Sequence, residues 1–580
     1  VSETPGAGAL DESTGSASLD GGAASGAPAS GAAGALSDER LRRGSVLMAA
    51  GTFVSRGTGL LRTMLLVGAV GTIGPVADAF DIANTLPNML FALVSAGAIQ
   101  SVLMPQIMAA IQSENAQERL DKLLTLAVVT LAVLTALLVA AVPLLIRMFS
   151  LVGSWPPEQL ALAVVFGYWC VPQVFFYGLF AVLGDMLSAR GQFGAFGWAP
   201  VANNLVSVLG FGIFIGVWGS ARAELPTLAG WTTAQTLVLA GTATLGIAIQ
   251  ALLLVLALRR GGFRWRLRLG LRGIGLRTAS RVVGWTLGAV AVEQLGITYL
   301  KNVMAAAGAE AEHAGTVAAG PAVYSSALLI YLLPHAVAVV PIITALFPRL
   351  SAAAARGDLD GVRADLSTGL RLAGIASVFS ATALVVLAGP ITKALLPTAS
   401  ADMVRVGIPV LQAMAPGLVA LGATILVKRM YFALGDGRSV FVIQVLASVC
   451  SVAVVIVAAQ VLDFAWWTVA VAAAGSLAAW ISVLARVRGM RRKLHGIDGF
   501  RVLRVYVRAG VASAAAAVVG LLLVRLAPEA AGMSWVQAVA VTAGVGIVMV
   551  AIYLAGLRLM RVRELEAALG PVVRKLGRKR

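Results

Sequence analysis

The chain runs to 580 residues, of which 59% are hydrophobic and only 12% charged, with a mean hydropathy of +0.89. No soluble domain can hide that much apolar surface, so the composition excludes a soluble enzyme and defines a polytopic membrane protein. A net charge of +18 would point to nucleic acid in a soluble chain, but here the basic residues gather in loops beside apolar stretches.

Residues 1–40 are rich in Gly, Ala and Ser, with scattered acids and no aromatic residue. They predict a disordered tail and lack the basic and apolar regions of a signal peptide. A hydrocarbon core of ~30 Å needs ~20 apolar residues per helix. Stretches of that length fall near 45–69, 79–111, 123–148, 159–188, 196–218, 231–258, 279–306, 320–348, 366–390, 403–432, 439–462, 465–485, 503–526 and 534–557. The expected fold class is therefore an all-α polytopic membrane protein of about fourteen transmembrane helices.

The first stretch holds Arg56 and Arg62. A guanidinium at bilayer depth costs at least ~2.5–3.5 kcal/mol and keeps its proton, so it must face water, protein or an anionic ligand. Six residues apart, the two lie ~120° apart around a helix and ~9 Å apart along it, and both can border a wide cavity. Gly57, Thr58 and Gly59 leave the helix surface bare and polar there. A planar fork suits phosphate or pyrophosphate. The competing reading is that Arg62 snorkels or pairs structurally with a carboxylate.

Asp78 opens the second stretch, followed by Asp81, Asn84, Pro87 and Asn88. An aspartate in that place either caps its helix or makes a gating salt bridge to a basic residue. Pro87, between Asn84 and Asn88, predicts a break within the membrane, which is tolerated where a cavity is lined. The two asparagines thereby join the candidate substrate-binding residues.

Between stretches six and seven, residues 259–281 carry eight arginines interleaved with Phe263, Trp265 and Leu267. The preferred reading is a positive-inside anchor on anionic membrane lipid, with no nucleic-acid partner. In stretch seven, Glu293 stands mid-membrane beside Gln294, with Lys301 two turns further on. Glu293 is either a proton- or cation-coupling group or the partner of Arg56 or Arg62. Lys428 and Arg429 near the end of stretch ten read as headgroup anchors.

The loops after stretches six and twelve and the C-terminus are basic, whereas those near 70–78, 149–158, 307–319 and 397–402 contain no Lys or Arg. This parity places both termini in the cytoplasm. A repeat is also visible: residues 101–110 match 344–353, with Pro105 over Pro348, and 186–191 match 430–435 at nearly the same offset. An even number of helices per repeat makes the halves parallel, as in alternating-access transporters. The expected organisation is a tail at 1–40, a six-helix lobe at 41–258 and a basic cytoplasmic linker at 259–281. A second six-helix lobe follows at 282–488, and two extra helices with a basic tail occupy 489–580.

No catalytic constellation stands out. Cys170 and Cys450 lie in apolar runs, and His313, His335 and His495 show no ligand spacing. There is no nucleotide-binding glycine loop and no zinc-protease motif. The reading is a transporter without a covalent step, cofactor or metal.

The chain resembles the MurJ/MviN lipid II flippase family, within the multidrug/oligosaccharidyl-lipid/polysaccharide exporter superfamily. The matching pieces are Ser55-Arg56-Gly-x-Gly-x-x-Arg62, Ala77-Asp78-Ala79-Phe80, Leu86-Pro87-Asn88, Ala96-Gly97-Ala98 and Leu103-x-Pro105. Ala199-Pro200-x-x-x-Asn204, Pro334 and Val427-Lys428-x-x-Tyr431-Phe-Ala-x-x-Asp436 follow in order, so the likeness spans roughly 45–440. It implies a V-shaped pair of six-helix lobes around a cationic cavity, with the undecaprenyl tail along a groove lined by the last helices. Arg56 and Arg62 would then grip the pyrophosphate and Asp78 would help close the outer gate; Asn84, Asn88 and Lys301 are the further candidate substrate-binding residues. Three segments depart from the family pattern, at Phe91 and Ala92, at Leu328 and Leu329, and at Thr63, where charged residues are expected. Lys301 or Arg371 is the expected compensation.

The expected function is a flippase for lipid II in the cytoplasmic membrane of a high-GC bacterium, with lipid II, membrane lipids and cell-wall synthesis enzymes as partners. Three rivals are a flippase for another polyprenyl-pyrophosphate-linked glycan, a small-molecule cation exporter, and a non-transporting cell-wall scaffold. The two arginines argue against the exporter, and buried polar residues argue against the scaffold.

Overall fold

The structure, a computed structural model, describes residues 34–95, 107, 110, 115–149, 155–190, 192–268, 270, 281–562 and 564. Among these residues there is no strand. Fourteen long helices follow in order: α1 Gly34–Val70, α2 Pro75–Val94, α3 Ala116–Ala140, α4 Pro157–Ser188, α5 Phe193–Trp218, α6 Thr233–Arg260 and α7 Arg281–His313, then α8 Pro321–Ala354, α9 Leu359–Val386, α10 Ala401–Ala433, α11 Gly437–Val461, α12 Trp467–Lys493, α13 Gly499–Arg525 and α14 Trp535–Leu559. Twelve are long and apolar enough to cross a membrane. The other two, α2 and α7, fill the second and seventh places and carry the polar candidates. The chain is a multi-pass membrane protein.

Local chemistry explains the interruptions. Pro75 starts α2 after a turn at Gly74, whose φ of 94° suits glycine. Pro334 and Pro341 flank a π-helical turn at His335–Val339 in α8, where missing amide donors favour a wider register. Pro87 behaves differently from expectation: α2 runs through it without a break. Its packing neighbours hold the helix despite the lost hydrogen bond, as membrane helices permit. The helix α1 begins at Gly34, inside the segment expected to be a tail. Residues 1–33, the 101–106 part of the first repeat match and 271–280 of the basic linker lie outside the described residues.

The described chain divides into two compact units, 1–322 and 323–580. In the first, α5 packs on α1 and α6, α6 on α4, and α4 on α2 and α3, while α7 packs on α2. Helices α1 and α5 approach through facing glycines: a Cβ on Gly51 would meet the Gly197 carbonyl oxygen at 2.6 Å. Such small-residue contacts let helix backbones close together in lipid, where no hydrophobic force drives them. Phe80, Phe166, Phe211 and Phe214 anchor an apolar cluster, with Phe80 and Phe166 edge to face at 5.4 Å.

In the second unit, α10 packs on α9 and α12, α11 on α12, and α13 on α9 and α14. The pairs α3–α4, α4–α6 and α5–α6 of the first unit thus recur as α9–α10, α10–α12 and α11–α12, six helices on. The repeat extends to the backbone. Gln192 and Asp436, 244 positions apart, share φ −99° and ψ 68° before α5 and α11. Each donates its amide to the carbonyl five residues back, Leu187 and Tyr431, at 2.9 Å. Division by contacts differs from division by repeat, which counts α7 as the first helix of the second half.

Asp436 also caps α11, accepting the Ser439 amide at 3.0 Å, and pairs with Lys493 of α12 at 2.7 Å. Partial burial works against its charge, but hydrogen bonds from Lys493 and Ser439 outweigh this and hold the carboxyl below the usual carboxylate range. Helices α13 and α14 dock through tyrosines whose hydroxyls donate to α9 carbonyls: Tyr506 to Leu370 at 3.2 Å and Tyr553 to Ile375 at 2.8 Å.

Candidate functional site

Both arginines of α1 are half-buried. The helix is set against α5 by Asn204, whose amide donates to the Ser55 carbonyl at 2.9 Å and the Thr58 hydroxyl at 3.1 Å. Asn204 therefore fixes the turn that carries Arg56. Thr58 and Thr63 turn their hydroxyls back to carbonyls of their own helix. A Cβ on Gly57 would meet nothing within 4 Å, so the surface beside Arg56 is bare as expected.

Arg62 lies within electrostatic reach of Cys170 and Tyr177 on α4. Tyr177 also interacts with the Asn88 side chain and packs its ring 5.6 Å from Phe91. The first unit thus gathers Arg62, Asn88 and Tyr177 from three helices. A guanidinium, an amide and a phenol in one place can bind an anion and the hydroxyls attached to it.

Further along, Lys301 of α7 is buried and meets Asp81 at 2.6 Å and the Thr85 hydroxyl at 3.0 Å. Its neighbour Asn302 donates to carbonyls of Thr298 and Met148. The Trp155 indole reaches the Ala305 carbonyl at 3.4 Å. Together these bonds seat α7 in the first unit. Removing one partner of a buried ion pair costs about 3–5 kcal/mol, because the other is left charged and dry.

Asp78 is 4% exposed and makes no cap on its own helix. Its carboxylate instead accepts the Ala322 amide at 3.1 Å, at the start of α8. Gly308 and Gly320 make room for it, since a Cβ on either would collide with its oxygens. This is a cap in trans, a third outcome beside the two expected. Asn84 is half-buried on α2. Glu293 is half-buried on α7, and both it and Arg56 are engaged by neighbouring groups.

The expected compensating cations each bring a carboxylate with them. Lys301 has Asp81, and Arg371, in the second unit, has Glu564. Arg429 lies over the Phe347 ring at 5.4 Å, a cation–π contact. Sequence reasoning passed over Asp81, Thr85 and Tyr177 as site residues. Asp81 did carry a signal, being one turn from Asp78 on the same helix side. Tyr177 carried none, standing in an aromatic run with Phe175 and Phe176.

Among the described residues, fourteen long helices, twelve of them apolar enough to cross a membrane, define a polytopic membrane protein with an all-helical transporter fold. Solved structures share this fold. One described as lipid II flippase MurJ in an inward closed conformation superposes with a TM-score of 0.65 at 16% identity, covering 88% of this chain and 99% of that one. An inward-facing multidrug resistance MATE family transporter superposes with a TM-score of 0.60 at 16% identity, over 78% and 98%. The model of the lipid II flippase MurJ family matches residues 69–541, and the chain belongs to that family. A probable lipid II flippase MurJ of Vibrio cholerae is 24% identical over 556 residues, covering 91% of this chain and 98% of that protein. One of Synechocystis is 26% identical over 408 residues, covering 68% and 72%. One of Rickettsia prowazekii is 30% identical over 163 residues, covering 28% of this chain and 32% of that protein.

Proposed function

We propose that this protein is a flippase that moves lipid II from the inner to the outer leaflet of the bacterial cytoplasmic membrane by alternating access, with both termini cytoplasmic. The observation that carries this is Arg62 within the apolar span Ala50–Val70, in electrostatic reach of Tyr177, which in turn meets the Asn88 side chain. A scaffold has no reason to bear the cost of that guanidinium. In this reading Arg56 and Arg62 hold the diphosphate, while Asn84, Asn88 and Lys301 contact the substrate. Asp78 and Glu293 serve gating or coupling. The basic 259–281 segment lies on anionic lipid, and cell-wall synthesis enzymes are the expected neighbours.

A second reading has one specific support. With Phe91 in place of a basic residue and Lys301 paired to Asp81, the site is less cationic than the family pattern. That suits a flippase for another polyprenyl-diphosphate glycan. Lipid II exposed on the outer leaflet, measured after depleting a host's own flippase, separates the two. The lipid II reading expects rescue by wild type and none by Arg56→Ala. Well-inserted wild type that leaves lipid II inside would assign the protein to the other glycan.

A further inference from the structure

The polar residues of α2 form one stripe. Asp78, Asp81, Thr85 and Asn88 follow at spacings of three, four and three residues, which brings them to one side of the helix. Each position has a partner on another element. Asp78 meets the Ala322 amide, Asp81 and Thr85 hold Lys301, and Asn88 meets Tyr177 beside Arg62. The Asp81 and Asn88 levels are about 10 Å apart along the axis at 1.5 Å per residue.

Leu65 and Leu66 of α1 and Ile297 of α7 pack on the same apolar cluster. Arg62 stands one turn before Leu66, and Lys301 one turn after Ile297. A structural role alone does not account for a buried Lys–Asp pair, since apolar residues of similar volume stabilise such a site as well or better. A lysine does differ from arginine in being a point charge on a flexible stem, able to change partners without matching a planar fork.

Building on the diphosphate reading of the Arg62 site, we propose that Lys301 is a second diphosphate ligand held in reserve by Asp81. As substrate passes along the α2 stripe, the ammonium exchanges the Asp81 carboxylate for diphosphate oxygens. The Thr85 hydroxyl, one turn from Asp81, is placed to donate to the carboxylate that the lysine leaves. No covalent bond forms or breaks. The Lys301–Asp81 pair is then the state of the stripe that awaits the anion.

The test is binding of farnesyl diphosphate to the purified full-length protein in detergent, with thermal unfolding followed in parallel. Asp81→Asn removes the competing anion and should tighten binding at least fivefold. Lys301→Met and the double variant Asp81→Asn with Lys301→Met should weaken it at least tenfold, the double variant unfolding close to wild type. A double variant that binds like wild type, with Asp81→Asn unchanged, would overturn the exchange and leave the pair structural. Arg62→Ala separates the two levels of the claim. If wild type fails to bind, or Arg62→Ala binds as wild type does, the diphosphate reading itself falls. Loss in Arg62→Ala with no change in the Lys301 and Asp81 variants defeats the exchange alone.

Discussion

The Asp78 carboxyl group caps the start of α8, accepting the amide of Ala322, 244 residues later, at 3.1 Å. An oxygen acceptor at a helix start satisfies one of the orphan amide donors there. The aspartate of the Ala-Asp-Ala-Phe motif thus acts on α8 and leaves its own helix uncapped.

Asp78→Ala should therefore lower stability by about 1–3 kcal/mol, the cost of a buried amide left without its acceptor. Asp78→Asn keeps an oxygen acceptor and should lose less. Gly320→Ala should resemble Asp78→Ala, because its methyl group displaces the carboxylate. Thermal unfolding of the purified protein in detergent ranks the three. A harmless Gly320→Ala would contradict the cap.

Two glycines of α1 should respond in opposite ways to the same change. Gly51→Ala drives a methyl group into the Gly197 carbonyl, a backbone atom that cannot step aside, and should cost about 1–3 kcal/mol. Gly57→Ala meets open space and should gain up to about 1 kcal/mol from helix propensity. The same unfolding measurement reads both.

Asn204→Leu should loosen α1 from α5, since the Ser55 carbonyl and Thr58 hydroxyl lose their donor. A loss of about 1–2 kcal/mol is expected for hydrogen bonds of this kind. Flipping should fall with it, as Arg56 shares that turn. A cysteine at position 57 should become more reactive to a maleimide in the variant, and unchanged labelling would count against the docking role.

The Asp436–Lys493 contact predicts a pH effect at the α10–α11 corner. The folded carboxyl is held below its ordinary value. Its stabilisation is therefore present above the unfolded pKa of about 3.9 and is lost as pH falls through the lower folded value. Asp436→Ala, which removes cap and pair together, should lower stability near neutral pH by about 1 kcal/mol. The difference from wild type should shrink on acidification below about pH 4. A difference that stays constant down to about pH 3 would rule out the charge as its source.

Much of the fold was legible in the sequence. Apolar length alone located fourteen helices, and the 186–191 and 430–435 match marked a corner whose backbone repeats at Gln192 and Asp436. The arginines of α1 stood out because a charge inside an apolar stretch is costly wherever it faces, and their role as ligands is a proposal. The partners were not legible. Lys301 and Asp81 are 220 positions apart, and nothing local to either reports that α7 packs on α2. Asn204 stood out in a motif, but its target at Ser55 is a backbone carbonyl, which no residue type announces. Pro87 misled for a related reason: its effect on α2 is set by what surrounds the helix, and a proline within an apolar run reads the same in either setting.

The central claim is that a guanidinium at membrane depth holds a lipid-linked diphosphate during translocation. Purified wild-type protein and Arg62→Ala, reconstituted at equal density in liposomes containing lipid II, test it most directly. The readout is the lipid II in the second leaflet that becomes accessible to an impermeant modifying enzyme. Wild type should accelerate transfer at least tenfold over empty liposomes, and Arg62→Ala should return it to the empty rate. Equal transfer by the two proteins would contradict the claim.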